Sequence, residues 1–203
     1  MFERFPSLTR FSHGWTVTEK IDGTNACILI APIDDPAINH GLMTARVGDT
    51  FLFTQSRNKI ITPTDDNAGF AKYVEQYAPE IVEALGEGRH YGEWWGKGIQ
   101  RNYGMTGKKF SLFNAARWSG PMQGGKLPAQ MDVVPHFVLN DYIGNTSTTF
   151  DTIMEKLKMG GSLAAPGFMN PEGIVMFHRP SGTTFKKTFD YDEQGKWAEK
   201  PAR

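Results

Sequence analysis

Seven consecutive residues, Glu19-Lys20-Ile21-Asp22-Gly23-Thr24-Asn25, place one lysine among polar groups at the end of an apolar stretch. A lysine attacks only when unprotonated, and a free lysine has a pKa of roughly 10.4. A neighbouring cation or partial burial destabilises the ammonium and releases the amine. Attack of such an amine on the α-phosphate of a nucleotide gives a lysyl–nucleotide phosphoramide. The same residues also read as a turn. Asp-Gly between apolar strands is a favoured hairpin connection, because Gly accepts positive φ, and Lys20 is then a hairpin lysine.

Five further segments carry groups suited to phosphate, metal or base chemistry, each with a plainer alternative. Arg57, in Thr54-Gln55-Ser56-Arg57-Asn58, offers a planar fork that matches phosphate, or is a solvated arginine in a polar loop. Glu93 lies in Tyr91-Gly92-Glu93-Trp94-Trp95-Gly96. Its adjacent tryptophans point to opposite faces of a strand, one expected in the core and one at a partly covered edge. Lys97 and Arg101 share a Gly-rich stretch with Tyr103, which suits backbone neutralisation with base stacking, or is incidental loop charge. Glu172 before Gly173-Ile174-Val175 suits Mg²⁺, a hard cation that prefers oxygen ligands, or marks an ordinary turn. Phe110, Leu112 and Phe113 read as core residues on composition alone.

Strands over Trp15–Lys20 and Asn25–Ala31, joined by a short turn, would position Lys20. Apolar residues at helical spacing over 69–85 predict a helix, kinked or split at Pro79, with Asp65, Asp66 and Asn67 as candidate caps. Further strands are expected over His90–Trp95, Phe110–Ala115 and Val133–Leu139, with an exposed loop over 120–128. A helix over Phe150–Met159 has Thr148 with Asp151 as a capping box and Gly160 as its left-handed end. Gly173–Phe177 and Thr183–Phe189 form a closing hairpin through Pro180-Ser181-Gly182. Many strands with few, irregularly placed helices predict an α+β fold with mostly antiparallel sheets. Neither a repeat nor a composition shift divides the chain, so residues 1–203 are read as one domain.

The 203 residues carry 22 basic and 22 acidic side chains, so a basic nucleic-acid surface must be local. One cysteine, Cys27, excludes an internal disulfide and fits a cytoplasmic protein. One cysteine and five scattered histidines give no zinc spacing. Neither a signal peptide nor a membrane-length apolar run is present, so no membrane association is expected.

Lys20-Ile21-Asp22-Gly23 resembles the Lys-x-Asp-Gly signature of covalent nucleotidyltransferases, and its Gly-Thr-Asn ending resembles the nick-sealing phage-type RNA ligases. Ser56-Arg57, Gly92-Glu93, Phe113-Asn114, Glu172-Gly173 and Phe185-Lys186-Lys187 are similar to the family's later motifs, in the family's order. The match spans residues 19–187. The resemblance implies an ATP-grasp-like core of two mostly antiparallel sheets with the nucleotide between them. It implies an ATP-dependent RNA ligase using Mg²⁺, or Mn²⁺, that joins a 5′-phosphate to a 3′-hydroxyl through lysyl-AMP. It makes Lys20 the nucleophile and Glu172 the metal ligand. Lys186 would be the catalytic cation. Glu19, Ile21, Asn25, Arg57, Glu93, Phe113 and Lys187 would bind the nucleotide, with Phe113 on the base. Asp22, Lys97 and Arg101 would contact nucleic acid.

The sequence departs from the family in three places. Asn114 stands where Asp is usual, Asp22 where some RNA ligases have His, and Lys-Lys where Lys-x-Lys is common. Strand alternation groups Lys186 with Thr184 and Thr188, and Lys187 with Phe185 and Phe189. Lys186 is therefore expected to face the phosphates, and Lys187 to reach them only through a bulge. About fifteen residues after Lys187 leave no room for a further domain, so a stand-alone core, monomeric, is expected. A minimal DNA ligase or a non-catalytic adenylate- or nucleic-acid-binding module are the alternatives.

Overall fold

The structure is a computed structural model that describes residues 14–32, 40–119, 127–139 and 146–190. In chain order the first half comprises β1 (Trp15–Lys20), β2 (Thr24–Pro32), β3 (Ala45–Val47), β4 (Thr50–Ser56), β5 (Ile60–Ile61), α1 (Phe70–Gln76) and α2 (Ala78–Leu85). The second half comprises β6 (Gly88–Gly96), β7 (Lys108–Leu112), α3 (Ala115–Trp118), β8 (Met131–Val133), β9 (His136–Phe137), α4 (Thr146–Gly160), β10 (Gly173–His178) and β11 (Thr183–Thr188).

The alternating pattern of β1 is what an antiparallel strand with two different faces requires. Val17 packs with Ile174 and Met176 of β10 against Ile153, Met154 and Leu157 of α4. Thr16, Thr18 and Lys20 line a pocket on the other face. This first sheet runs β11-β10-β1-β9. The second runs β3-β4-β2-β6-β7-β8, with β5 on β4, and only β7–β8 is parallel. Ala26, Ile28 and Ile30 of β2 and Trp94 of β6 turn to α1 and α2, where Phe70, Val74 and Ile81 close the main core. Each fully buried side chain of this size contributes roughly 1.5–3 kcal/mol.

The α+β expectation holds, but the expected hairpin after Lys20 does not form. β1 and β2 lie in different sheets, and Ile21–Gly23 carries the chain across. Gly23 is absent from the positive-φ glycines. It is required by close approach, since a Cβ there would sit 2.6 Å from the Trp94 carbonyl and 2.7 Å from Trp95 Cβ. The expected strand over Val133–Leu139 is a second crossing. β8 belongs to one sheet and β9 to the other. The two crossings lie together, with Glu19 N–H donating to Pro135 O at 2.9 Å. Ile21 and Val134 share a small core with Trp95 and Tyr103.

Other boundaries move for local reasons. Pro79 splits the 69–85 segment by taking an early position in α2, where its missing N–H costs nothing. Of the candidate caps, Asp66 serves, accepting from Ala71 and Lys72 N–H. Both tryptophans are buried, because each face of β6 has its own core. The Phe110–Ala115 strand stops at Leu112, since the Asn114 side chain caps α3 by accepting from Arg117 N–H. Thr54–Ser56 belong to β4, and Arg57 lies in the short exposed turn between β4 and β5. The helix starts at Thr146, leaving Thr148 and Asp151 inside it, and the left-handed residue is Gly161. Residues 120–126 of the expected loop lie outside the described residues.

Replacing Gly23 by alanine should cost about 1–3 kcal/mol of stability through overpacking. Urea unfolding checks this, and an unchanged midpoint would contradict the close-approach reading.

Candidate active site

Lys20 ends β1 directly opposite Gly173, the first residue of β10. That register brings Glu172 beside it, and Lys20 Nζ donates to Glu172 Oε2 at 2.6 Å. The side chains are 22% and 16% exposed, so the pair is partly withdrawn from water yet reachable. Glu93 arrives from the second sheet, opposite Asn25 of β2. Its Oε1 accepts from Gly23 N–H at 3.0 Å, so the crossing itself ties Glu93 to the lysine's segment. Burial pushes the Glu93 carboxyl up to about 7, with Glu172 adding to the rise. The Lys20 charge, the Gly23 N–H and Arg57 act in the opposite sense.

The residues flanking Lys20 are held from outside. Glu19 borders the pocket, but its carboxylate is committed to the loop after α4. It accepts from Ser162 Oγ at 2.6 Å and from Leu163 and Ala164 N–H at 2.8 and 2.9 Å. Asp22 N–H donates to Tyr103 Oη at 2.7 Å, and the Asp22 carboxylate accepts from Arg101 Nε at 3.1 Å.

A pocket of about 680 Å³ opens between the inner faces of the two sheets. It brings together Lys20, Glu19, Ile21, Asn25, Arg57, Glu93, Phe113 and Lys186 of the expected site. Phe113 is 39% exposed, available for stacking and not consumed by the core. The β10–β11 register is unbroken, and strand alternation separates the two lysines as expected. Lys186 lines the pocket, whereas Lys187 Nζ donates to Asp151 Oδ1 of α4 at 2.8 Å. Lys97 is exposed, and neither it nor Arg101 or Asp22 lines the pocket.

Sequence reasoning missed Arg89, Arg117 and Arg179, and the aromatic walls Tyr91 and Phe177. Strand alternation carried part of the signal: Arg89 and Tyr91 share a face with Glu93, and Phe177 with Gly173. Arg117 had none, because it reaches the pocket from the short α3. Six basic side chains line the pocket against Glu19 and Glu93. Among the described residues, Arg57, Arg89, Arg117, Arg179 and Lys186 have no carboxylate within ion-pair distance. A chain neutral overall thus concentrates positive potential where an anionic ligand would enter.

The RNA ligase family profile matches residues 13–188. The chain belongs to the RNA ligase family. Solved structures of Naegleria gruberi RNA ligase share the fold of this RNA ligase family member. One, a point mutant with ATP and Mn, is 20% identical with a TM-score of 0.56, covering 90% of this chain and 52% of that one. A second, with PPi, is 20% identical with a TM-score of 0.55, covering 90% and 51%. A third, a mutant with AMP and Mn, is 19% identical with a TM-score of 0.54, covering 90% and 52%. The chain spans about half the length of these proteins. No curated protein matches it.

The raised Glu93 carboxyl makes stability pH-dependent. Between the ordinary value of 4.5 and about 7, native Glu93 keeps a proton that the unfolded chain has lost. Stability therefore falls as pH rises through that window. Glu93→Gln keeps the acceptor for Gly23 N–H and removes the titration. Relative to wild type it should gain up to about 3 kcal/mol between about pH 5 and about pH 8, read by urea unfolding. A pH-independent difference contradicts the assignment.

Proposed function

We propose that this chain is the adenylyltransferase core of an ATP-dependent RNA ligase. The observation that carries the reading is the Lys20–Glu172 pair beside a pocket whose other cations lack carboxylate partners among the described residues. Lys20 is the nucleophile. It attacks the α-phosphate of ATP, a P–N bond forms, and pyrophosphate leaves. AMP then passes to a 5′-phosphate end, and a 3′-hydroxyl displaces AMP to seal the strand. Each step is in-line transfer at phosphorus, where positioning and charge neutralisation supply most of the acceleration. Phe113 stacks on the base, while Ile21, Asn25, Glu93 and the border at Glu19 hold the nucleoside. Arg57 and Lys186 face phosphate oxygens, with Lys187 reinforcing the charge from behind.

The acidic groups suit a divalent cation. Glu172 lies close enough to Glu93 to raise its pKa, yet no cluster of three ligating side chains occurs among the described residues. Mg²⁺ is commonly held by one or two carboxylates together with substrate phosphates and water, and Mn²⁺ takes similar oxygen ligands. Glu172 would hold it, and the ion would supply neutralisation of phosphate charge.

The substrate is an RNA end, or a nick in duplex, with the exposed Lys97 available to meet a strand. Residues 1–203 act as one catalytic domain and as a monomer. No described helix is long and apolar enough to cross a membrane. The buried free thiol of Cys27 supports a cytoplasmic setting.

Incubation with ATP labelled at the α-phosphate and Mg²⁺, followed by a denaturing gel, should give covalently labelled protein, and Lys20→Ala should abolish the label. Unlabelled wild-type protein contradicts the proposal. Nicked duplexes should be sealed better from an RNA than a DNA 3′-hydroxyl strand, and the opposite preference would point to a DNA ligase. Lys186→Ala should slow labelling by roughly 10²-fold, as loss of a charge-stabilising donor does. Lys187→Ala should cost less, because its Asp151 partner is an exposed one. The reverse order overturns the face assignment.

A further inference from the structure

Arg101 was expected to meet nucleic acid, but its guanidinium is occupied within the protein. Its side chain is only 16% exposed. Nε donates to Asp22 Oδ2 at 3.1 Å, Nη1 to the Asn170 carbonyl at 3.3 Å, and Nη2 to Asp190 Oδ2. These partners come from three separate places. Asp22 lies on the crossing two residues after Lys20. Asn170 lies two residues before Glu172. Asp190 follows β11, which carries Lys186. One planar group therefore joins the segments bearing the nucleophile, the carboxylate and the pocket cation, which a lysine's single point charge cannot reproduce.

The loop that presents Arg101 is built to hold it still. Gln100, Asn102 and Tyr103 are non-glycine residues in the left-handed region, a conformation that persists only where surrounding structure enforces it. Ile99 is buried in the main core and Tyr103 in the crossing core, so both sides of Arg101 are anchored. Tyr103 packs on Trp95 and Phe168 with ring centroids 4.9 and 4.7 Å apart, while its hydroxyl accepts from Asp22 N–H. Asn102 Oδ1 accepts from Gly98 N–H at 2.8 Å, closing the loop on itself.

We propose that Arg101 is a positioning residue that clamps the Lys20 crossing to the segments carrying Glu172 and Lys186, and that it does not bind nucleic acid phosphate. The inference deepens the adenylyl-transfer reading and rests on it for its kinetic consequence. Arg101→Lys keeps the charge but loses the fork. Asp190→Ala releases one arm from an exposed position and serves as the variant least able to disturb folding.

The test has two arms on the full chain. In the first, labelling kinetics are measured against ATP concentration. Arg101→Lys should lower the maximal rate by roughly 10–100-fold, as loss of a supporting contact does, with half-saturating ATP changed by less than about 2-fold. Asp190→Ala should fall between that variant and wild type. Binding of a 5′-phosphorylated RNA oligonucleotide, followed against salt, should keep its slope in Arg101→Gln, which removes the charge. In the second arm, amide hydrogen exchange of residues 20–25 and 170–173 should quicken in Arg101→Lys. Wild-type labelling rates in Arg101→Lys would overturn the proposal, and a salt slope reduced by about one in Arg101→Gln would assign Arg101 to a phosphate and overturn it too. Unchanged exchange in those segments also overturns it. Quickened exchange with no labelling of wild-type protein would uphold the clamp and refute the ligase reading.

Discussion

The site depends on a steric constraint at one residue. The chain must leave one sheet and enter the other within Ile21–Gly23, and it does so pressed against the backbone of Trp94 and the side chain of Trp95. Only a residue without a Cβ permits that approach. The contact places the Gly23 N–H on the Glu93 carboxylate and leaves Lys20 at a strand end facing Glu172. Lys20 of β1, Glu172 just before β10 and Glu93 of β6 thus come together from two sheets, registered by one close packing.

Around that point, polar side chains act as ties. Glu19 and Asp22 flank the lysine, and each spends its carboxylate on a loop from a distant part of the chain. Hydrogen bonds to backbone and to arginine offset part of the desolvation that such burial costs, and burial still holds the Glu19 carboxyl above its ordinary value. The strands supply direction: one face of β1 packs on α4 while the other lines the pocket. Charge is then segregated by alternation, with Lys186 turned inward and Lys187 outward to Asp151. The outcome is a chain of zero net charge with six of its cations gathered on one cavity.

Much of this was legible in the sequence where the signal was local. β1 was bounded correctly, the split at Pro79 followed from its missing N–H, and the separation of the two lysines followed from a period of two. What was illegible was long-range. A hairpin and a sheet-to-sheet crossing share the same Asp-Gly, because local turn chemistry does not say which strands pair. The division of Val133–Leu139 between sheets was hidden for the same reason. The burial of both tryptophans required knowing that β6 has a core on each face. Arg101 shows the limit most clearly. A basic residue beside glycines and a tyrosine has the composition of a nucleic-acid loop, and only its three partners reveal an internal tie.

The central claim is that this crossing singles out Lys20 among the chain's lysines for covalent chemistry. It is tested most directly by incubating the protein with ATP and Mg²⁺ and locating the adduct by mass spectrometry of its peptides. The account predicts one adenylate, on Lys20. An adenylate on any other lysine, or none on the wild-type protein, would contradict it.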